Sequence, residues 1–414
     1  MDFKTLLFFI LVYANQGISS LPGQCEYYLT RESWGLSASM IGLISLITGL
    51  AWYIKPLWGF LVDYCPISKL ILTVEKKTGY RIVNFSFSKT EKYRAKYYLY
   101  GSYTLMLLMY AYIVMFGLNI VSLIITGLII NLCIGLADVC NDSQMVILEQ
   151  KNNLQGKLQA VQWTSMGVAG LLVSIVGAHI ASNFSEDIGY RVAYALAAII
   201  PILTVTYLIH YYKEEPVKEK KKLTDLKQQG KIFLDKKVIY SILFIACFQL
   251  CPSFGTALMI KVRESMGVSK MFLGYLGATG TVLGIIGYAL YYWKAHKFPL
   301  KQLLIFMVIF SAITNLFYLY IPNKEFLLLY NFLFGAFSGI TLLTMLRFFT
   351  TLIPKGYEGM TYAIITSISN FCSRGSNLFG GLLYDNYGYN TNVIVSTVLT
   401  LCCLFFIPKL LEDN

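Results

Sequence analysis

Apolar segments long enough to cross a bilayer recur along the whole chain, and that recurrence limits the fold more than any single motif. A helix needs about 20 predominantly apolar residues to span the ~30 Å hydrocarbon core. On that measure helices are expected at 4–29, 38–64, 97–117, 119–148, 157–181, 189–212, 237–261, 269–293, 299–320, 325–348, 357–385 and 391–409. Several exceed a bare span, so tilt or protruding ends are expected. Charged residues make up 14% of the 414, against about 25% in soluble domains. The expectation is an all-α integral membrane protein with twelve transmembrane helices and short loops. The opening MDFKTLLFFILVYA, followed by the small residues of GISS, has the outline of a signal peptide. An even helix count requires it as a retained first helix.

The net charge of +12 would suit a nucleic-acid partner if it lay on one soluble face. It does not. Lys and Arg alternate between the two sets of loops, with 24 on one side and 6 on the other. Cytoplasmic loops are the positive ones, which puts both termini in the cytosol. Lys4 and Lys409 fall on the same side. No nucleic acid is expected as a partner. Two basic residues remain inside helices, Lys55 and Arg374.

The run YYKEEPVKEKKKLTDLKQQGKIFLDKK divides the chain into a six-helix half at 1–212, a basic linker at 213–236 and a second six-helix half at 237–414. Six plus six helices, cytosolic termini and a basic central loop fit a major facilitator-type architecture. Such carriers bind substrate near the midplane, between two halves that rock. The nine cysteines are scattered without a CxxC spacing and read as small buried hydrophobes. No His pair, phosphate-binding Gly loop or nucleophile–base set stands out. No metal, no cofactor and no enzymatic activity are therefore expected. The expected partners are the lipid bilayer and a small-molecule substrate, and the chain is expected to be a monomer.

A charge inside a membrane helix is costly, about 2.5–3.5 kcal/mol on insertion scales, and usually faces a cavity or a partner. In NLCIGLADVCNDSQMVILEQ, residues Asn131, Asp138, Asp142 and Glu149 share one stripe at about 100° per residue. Asp138 and Asp142 are candidates for substrate binding and proton coupling, because close carboxylates push their protonation apart. For Asp142 and Glu149 the alternative is a headgroup-facing helix end. On helix eleven Thr366, Asn370, Arg374 and Asn377 form a second polar stripe. Asn370 and Arg374 are substrate-binding candidates; an Arg–Asp pair holding the halves in one state is the alternative for Arg374. Lys55, followed by Pro56, sits too deep for easy snorkelling. It lines a cavity or pairs with a carboxylate of helix four. Helix one is the most polar, with Asn15, Gln16, Pro22, Gly23 and Glu26, and an interrupted helix of this kind often borders a site. Trp163, next to Gln162, is a candidate cavity wall.

Several strings together resemble the folate–biopterin transporter family of the major facilitator superfamily. WYIKPLWGFLVDYCPI is similar to its P-W-x-x-K-P-x-x-G-x-x-S-D-x-x-P-I motif. LADVCNDSQMV is similar to its A-D-x-x-x-D segment, and KLQAVQWTSMGVAG to its L-Q-x-x-x-W segment. PKGYEGMTYAIITSISNFCSRGSNLFGGLLYD looks like its P-x-G-x-E…S-I-x-N…G-x-L-x-x-D segment. The matches touch most helices. Three departures stand out. Ala51–Trp52 replaces the leading P-W, Val62 stands where the family has Ser, and a lysine-rich insertion follows Pro66–Ile67.

The resemblance implies a secondary transporter of folate or pterin compounds working by alternating access, with proton coupling as an option. It places Lys55, Asp138, Asp142 and Asn370 on family motif positions, with Asp63, Glu358 and Asp385 as conformational residues. Two other readings stay open. One is a carrier of S-adenosylmethionine or another nucleoside-like cation. The other is a non-transporting receptor or scaffold using the basic loops at 65–96 and 213–237. The plasma membrane is the expected location, with an organellar membrane as the alternative.

Overall fold

The computed structural model describes residues 3–77, 80–152, 157–214, 216, 235–352 and 358–410. The chain opens with α1 (Phe3–Ile18) and α2 (Gly23–Tyr28). Between them Pro22 has no N–H to continue the helical ladder. There the hydroxyls of Ser19 and Ser20 donate to the carbonyls of Gln16 and Gly17. A π-type turn at Leu29–Ser33 leads out of α2. Ser37 then caps α3 (Ala38–Thr48), its Oγ accepting from Met40 N at 3.2 Å. The same path continues in two short pieces, α4 (Leu50–Tyr53) and α5 (Lys55–Tyr64). Pro56 cannot donate to the carbonyl one turn back, and Ile54 leaves helical geometry just before Lys55.

The segment after α5 corrects the all-α expectation. It is an antiparallel hairpin of β1 (Ile67–Lys77) and β2 (Tyr80–Tyr93), with a register irregularity between Ser68 and Leu70. LILTVEKK and YRIVNFSFS are rich in β-branched and aromatic residues, a composition that suits strands. Lysine content hid that signal. Lys69 Nζ donates to Glu91 at 2.8 Å near the base of the hairpin.

Five helices complete this N-terminal set: α6 (Lys96–Phe116), α7 (Ile120–Asn152), α8 (Lys157–Asn183), α9 (Glu186–Ala197) and α10 (Ile199–His210). The C-terminal set begins with α11 (Lys236–Leu250) and α12 (Gly255–Ile260), again broken beside a proline, Pro252. It continues through α13 (Lys270–Trp293), α14 (Leu300–Phe317), α15 (Lys324–Thr351), α16 (Glu358–Cys402) and the short α17 (Ile407–Leu410). Among the described residues ten segments are long and apolar enough to cross a membrane, with α3 as a shorter apolar helix. Two features separate ten from the expected twelve. The second expected helix is cut into α3, α4 and α5. The last two expected helices run on as α16, which kinks at Gly388 with φ 80°.

Buried side chains gather in three clusters. One draws only on residues 8–208, the other two only on residues 244–407. The two sets meet along a seam of small residues. A Cβ on Gly42 of α3 would stand 2.7 Å from the Leu378 backbone of α16, and one on Gly381 would stand 2.5 Å from Ala38 O. Gly274 of α13 lies as tightly against Ala178 of α8. Small residues let helix backbones approach where lipid offers no hydrophobic drive.

Candidate functional site

The break before α5 places Lys55 at the start of a new helix facing α7. Its Nζ donates to Asp138 Oδ2 at 2.6 Å, with side-chain exposures of 18% and 4%. The Trp52 ring centroid lies 5.0 Å from the same ammonium, within cation–π reach. Trp52 Nε1 in turn donates to Asn131 Oδ1 at 3.3 Å. So Lys55 takes the partner on helix four that the sequence left open; of the stripe on α7, the side chain of Glu149 lies outside the described residues. Asp138 is therefore engaged in this state rather than presented to a ligand.

Asp142, one turn further along α7, has neutral partners. Tyr13 OH donates to its Oδ1 at 3.1 Å and Gln162 Nε2 at 3.4 Å. Two carboxylates one turn apart thus differ in kind: one is matched by a cation, the other is held by a phenol and an amide. Tyr362, from the opposite helix set, stands near enough to interact electrostatically with Lys55, Asp138 and Asp142.

Arg374 lies on α16 at the seam, and its Nη1 donates to Ser45 Oγ of α3 at 2.9 Å. Among the described residues no carboxylate pairs with it. Asn370 is half-buried one turn earlier on the same helix. The Arg–Asp pair considered from the sequence does not form among the described residues. Asp385 instead accepts from Ala38 N at 3.2 Å and Ser39 N at 2.8 Å. Those are first-turn N–H groups of α3, which have no partner inside their own helix. The contact ties α16 to α3 across the seam. Asp385→Ala should therefore weaken the closed seam by about 1 kcal/mol, the usual loss of a helix cap, while Asp385→Asn should retain most of it. Hydrogen exchange at Ala38 and Ser39 reads the difference; equal protection in all three proteins would sink the assignment. The side chains of Asp63 and Glu358 lie outside the described residues.

A cavity of about 770 Å³ opens between α8, α13, α14 and α15. Its size is in the range of small-molecule sites, roughly 300–1,000 Å³. Trp163 and Tyr288 form one wall, their ring centroids 6.4 Å apart. Asn315, Asn331, Ser338 and Thr341 supply polar atoms. Among the described residues no Asp, Glu, Lys, Arg or His lines it. Of the residues singled out from the sequence as binding candidates, Trp163 alone lines this cavity. Lys55, Asp138, Asp142, Asn370 and Arg374 do not. Gln162, which holds Asp142, and Trp163, which lines the cavity, are consecutive residues of α8.

Sequence reasoning missed two groups. Tyr13 was invisible because nothing in a local window says that α1 packs on α7. The charged turns at 31–37 and 263–269 were counted only as loop charges. Their identical R-E-S-x-G-x-S strings are the signal that reveals them.

Comparison with known proteins agrees with the resemblance read from the helix strings. The model of the BT1 family matches residues 91–411. The chain is 24% identical to the folate-biopterin transporter of Synechocystis sp., over 98% of this chain and 81% of that protein. It is 22% identical to folate transporter 1 of Plasmodium falciparum, over 95% of this chain and 76% of that protein. Among solved structures it superposes on a D-xylose–proton symporter with TM-score 0.72 at 16% identity, covering 99% of this chain and 98% of that one. It superposes on the nucleoside transporter NupG with TM-score 0.71 at 12% identity, covering 100% of both. At these identities the structural likeness bears on the fold, which is that of membrane transporters. The family model covers most of the chain and the relatives align with it nearly end to end: the chain belongs to the BT1 family.

Proposed function

We propose that the chain carries folate or pterin compounds across a membrane by alternating access. In this reading twelve crossings form two halves, 1–212 and 237–414, joined by the basic linker 213–236, with both termini cytosolic. The halves rock about the seam between α3 and α16 and between α8 and α13. The observation that carries the reading is the neutral aromatic cavity lined by Trp163, with the buried charged cluster held by the neighbouring residue of α8, Gln162. A pteridine ring is flat, uncharged near neutral pH and edged with hydrogen-bonding groups. A cavity walled by Trp163 and Tyr288, with amides and hydroxyls and no formal charge, suits such a ring.

Charged parts of the substrate need other partners. Among the described residues Arg374 pairs with no carboxylate, and it suits the glutamate tail of a folate. Asn370 lies beside it. Lys55 and Asp138 serve as an exchangeable pair, broken when substrate or a proton competes. Asp142, with neutral donors, is the proton-coupling candidate. Asp63, Glu358 and Asp385 act in gating. A sulfonium cation such as S-adenosylmethionine would have no acidic partner in the cavity. The chain works as a monomer, with the plasma membrane as the default location.

Uptake of labelled folic acid, biopterin and S-adenosylmethionine into transport-deficient cells tests this. Saturable uptake of folic acid or biopterin is expected. Arg374→Met should lower folic acid uptake about tenfold or more, the scale of a lost charge-assisted contact, and leave biopterin within about twofold. Trp163→Ala should weaken both, by about 1–3 kcal/mol of stacking and burial. Uptake of S-adenosylmethionine alone, or of none of the three with the chain shown at the cell surface, would overturn the reading.

A further inference from the structure

The turn after α2 and the turn after α12 share more than their Arg-Glu-Ser-x-Gly-x-Ser string. Each string begins inside a π-type turn, Leu29–Ser33 or Lys261–Ser265. Each central glycine is left-handed, Gly35 at φ 64° and Gly267 at φ 62°, a backbone that favours glycine. Each last serine caps the next helix, Ser37 for Met40 N and Ser269 for Phe272 N, both at 3.2 Å. Each arginine braces its own turn through Nη1, Arg31 to Leu36 O at 3.0 Å and Arg263 to Val268 O at 2.6 Å.

The other two donors of each guanidinium cross to the opposite turn. Arg31 Nε and Nη2 reach Glu264 Oε1 at 2.9 and 2.7 Å. Arg263 Nε and Nη2 reach Glu32 Oε1 at 3.0 and 2.7 Å. The contact is reciprocal, as in a self-complementary two-fold interface. Bracing each arginine by its own turn reduces the ordering cost that normally weakens exposed ion pairs. Among the described residues, every ion pair that joins the two helix sets lies at this end of the seam.

Lys270 breaks the symmetry, because Ala38 occupies its place in the first repeat. Its Nζ reaches Glu186 at 2.6 Å and Glu32 at 3.3 Å, and lies 4.5 Å from the Tyr28 ring centroid. Glu32 is therefore held by two cations and Glu264 by one.

We propose that the two turns form a reciprocal latch. The Arg31–Glu264 and Arg263–Glu32 pairs hold the two helix sets together at the end that carries α2 and α12, and both must part for that end of the seam to open. Lys270 makes the latch uneven, so that Glu32 is its stronger point. The inference rests on the reading of the chain as two sets that rock.

The test uses the purified full-length chain in detergent, with Ser174→Cys as reporter. Ser174 of α8 faces α13 across the seam, its Oγ 3.3 Å from where a Cβ on Gly277 would stand. The quantity measured is the maleimide labelling rate above that of the chain without this substitution. Arg31→Glu and Glu264→Arg should each raise the rate about fivefold or more. Combining them should return it to within about twofold of the parent, because the pair is restored with its sign reversed. Glu32→Gln should raise the rate more than Glu264→Gln. Single reversals that label at the parent rate, or a double reversal that labels as fast as the singles, would overturn the latch. An equal effect of the two glutamine substitutions would overturn the role of Lys270. Labelling needs no substrate, so these outcomes are separate from success or failure of the uptake experiment.

Discussion

Asp138→Asn is expected to abolish uptake and to destabilise the protein more than any other single substitution at the site. The carboxylate is 4% exposed and receives Lys55 at 2.6 Å. Neutralising it leaves a buried ammonium without a counter-charge, a loss of about 3–5 kcal/mol for a broken buried pair. Cation–π contact with Trp52 offsets only a part, about 0.5–2 kcal/mol. Removing both charges together is a different case. Lys55→Met with Asp138→Leu replaces the pair by apolar groups of similar volume, which is often neutral or stabilising. The double variant should therefore recover the thermal midpoint in detergent without recovering uptake. That split distinguishes a pair needed for transport from one needed only for folding. Should the double variant transport at the parent rate, the pair is structural alone; should Asp138→Asn melt with the parent, the pair is not stabilising at all.

Gly380→Ala is expected to prevent assembly of the C-terminal helix set. A Cβ there would overlap the carbonyl of Ser253, in the break between α11 and α12. Backbone rather than a flexible side chain stands in the way, so overpacking exceeds the usual ~1–3 kcal/mol. The position is also fastened from two sides. Ser253 N donates to Ser376 O at 2.9 Å, and Asn392 Nδ2 donates to Gly380 O at 2.9 Å. Gly101→Ala is the control, since nothing stands within 4 Å of its Cβ and alanine is the better helix former. Yield of monodisperse protein after gel filtration separates the two: Gly101→Ala should match the parent and Gly380→Ala should be largely lost. Equal yields would mean that the α11–α12 break is not docked on α16 in this way.

What could be read in advance followed from local properties. Apolar length marks a membrane segment wherever it occurs, because the hydrocarbon core has a fixed thickness. A proline breaks a helical ladder whatever surrounds it, and Pro22 and Pro56, both marked in the sequence, each stand at or beside an interruption. A charge inside such a segment needs a partner or a cavity, which singled out Lys55 and Asp138 before any partner was known. Motif strings on four helices were enough to suggest the family. Two local signals were present and unread: the β-branched and aromatic composition of β1 and β2, and the repeated R-E-S-x-G-x-S turn.

The sequence by itself determined that this chain is a mainly helical membrane protein and which few polar side chains have to be satisfied within it. Tertiary structure alone decided how they are satisfied. Lys55 takes Asp138 and leaves Asp142 to Tyr13 and Gln162. Arg374 takes Ser45 and not Asp385, which caps α3. The cavity is neutral because its wall comes from four helices, each placing its polar and aromatic residues inward and its charges elsewhere. Helix formation follows from a window of about 20 residues. The choice of partner follows from which backbones approach closely, set here by pairs such as Gly42 with Leu378 and Gly274 with Ala178. Such approaches join residues far apart in the chain, through many small contact terms that no single window contains.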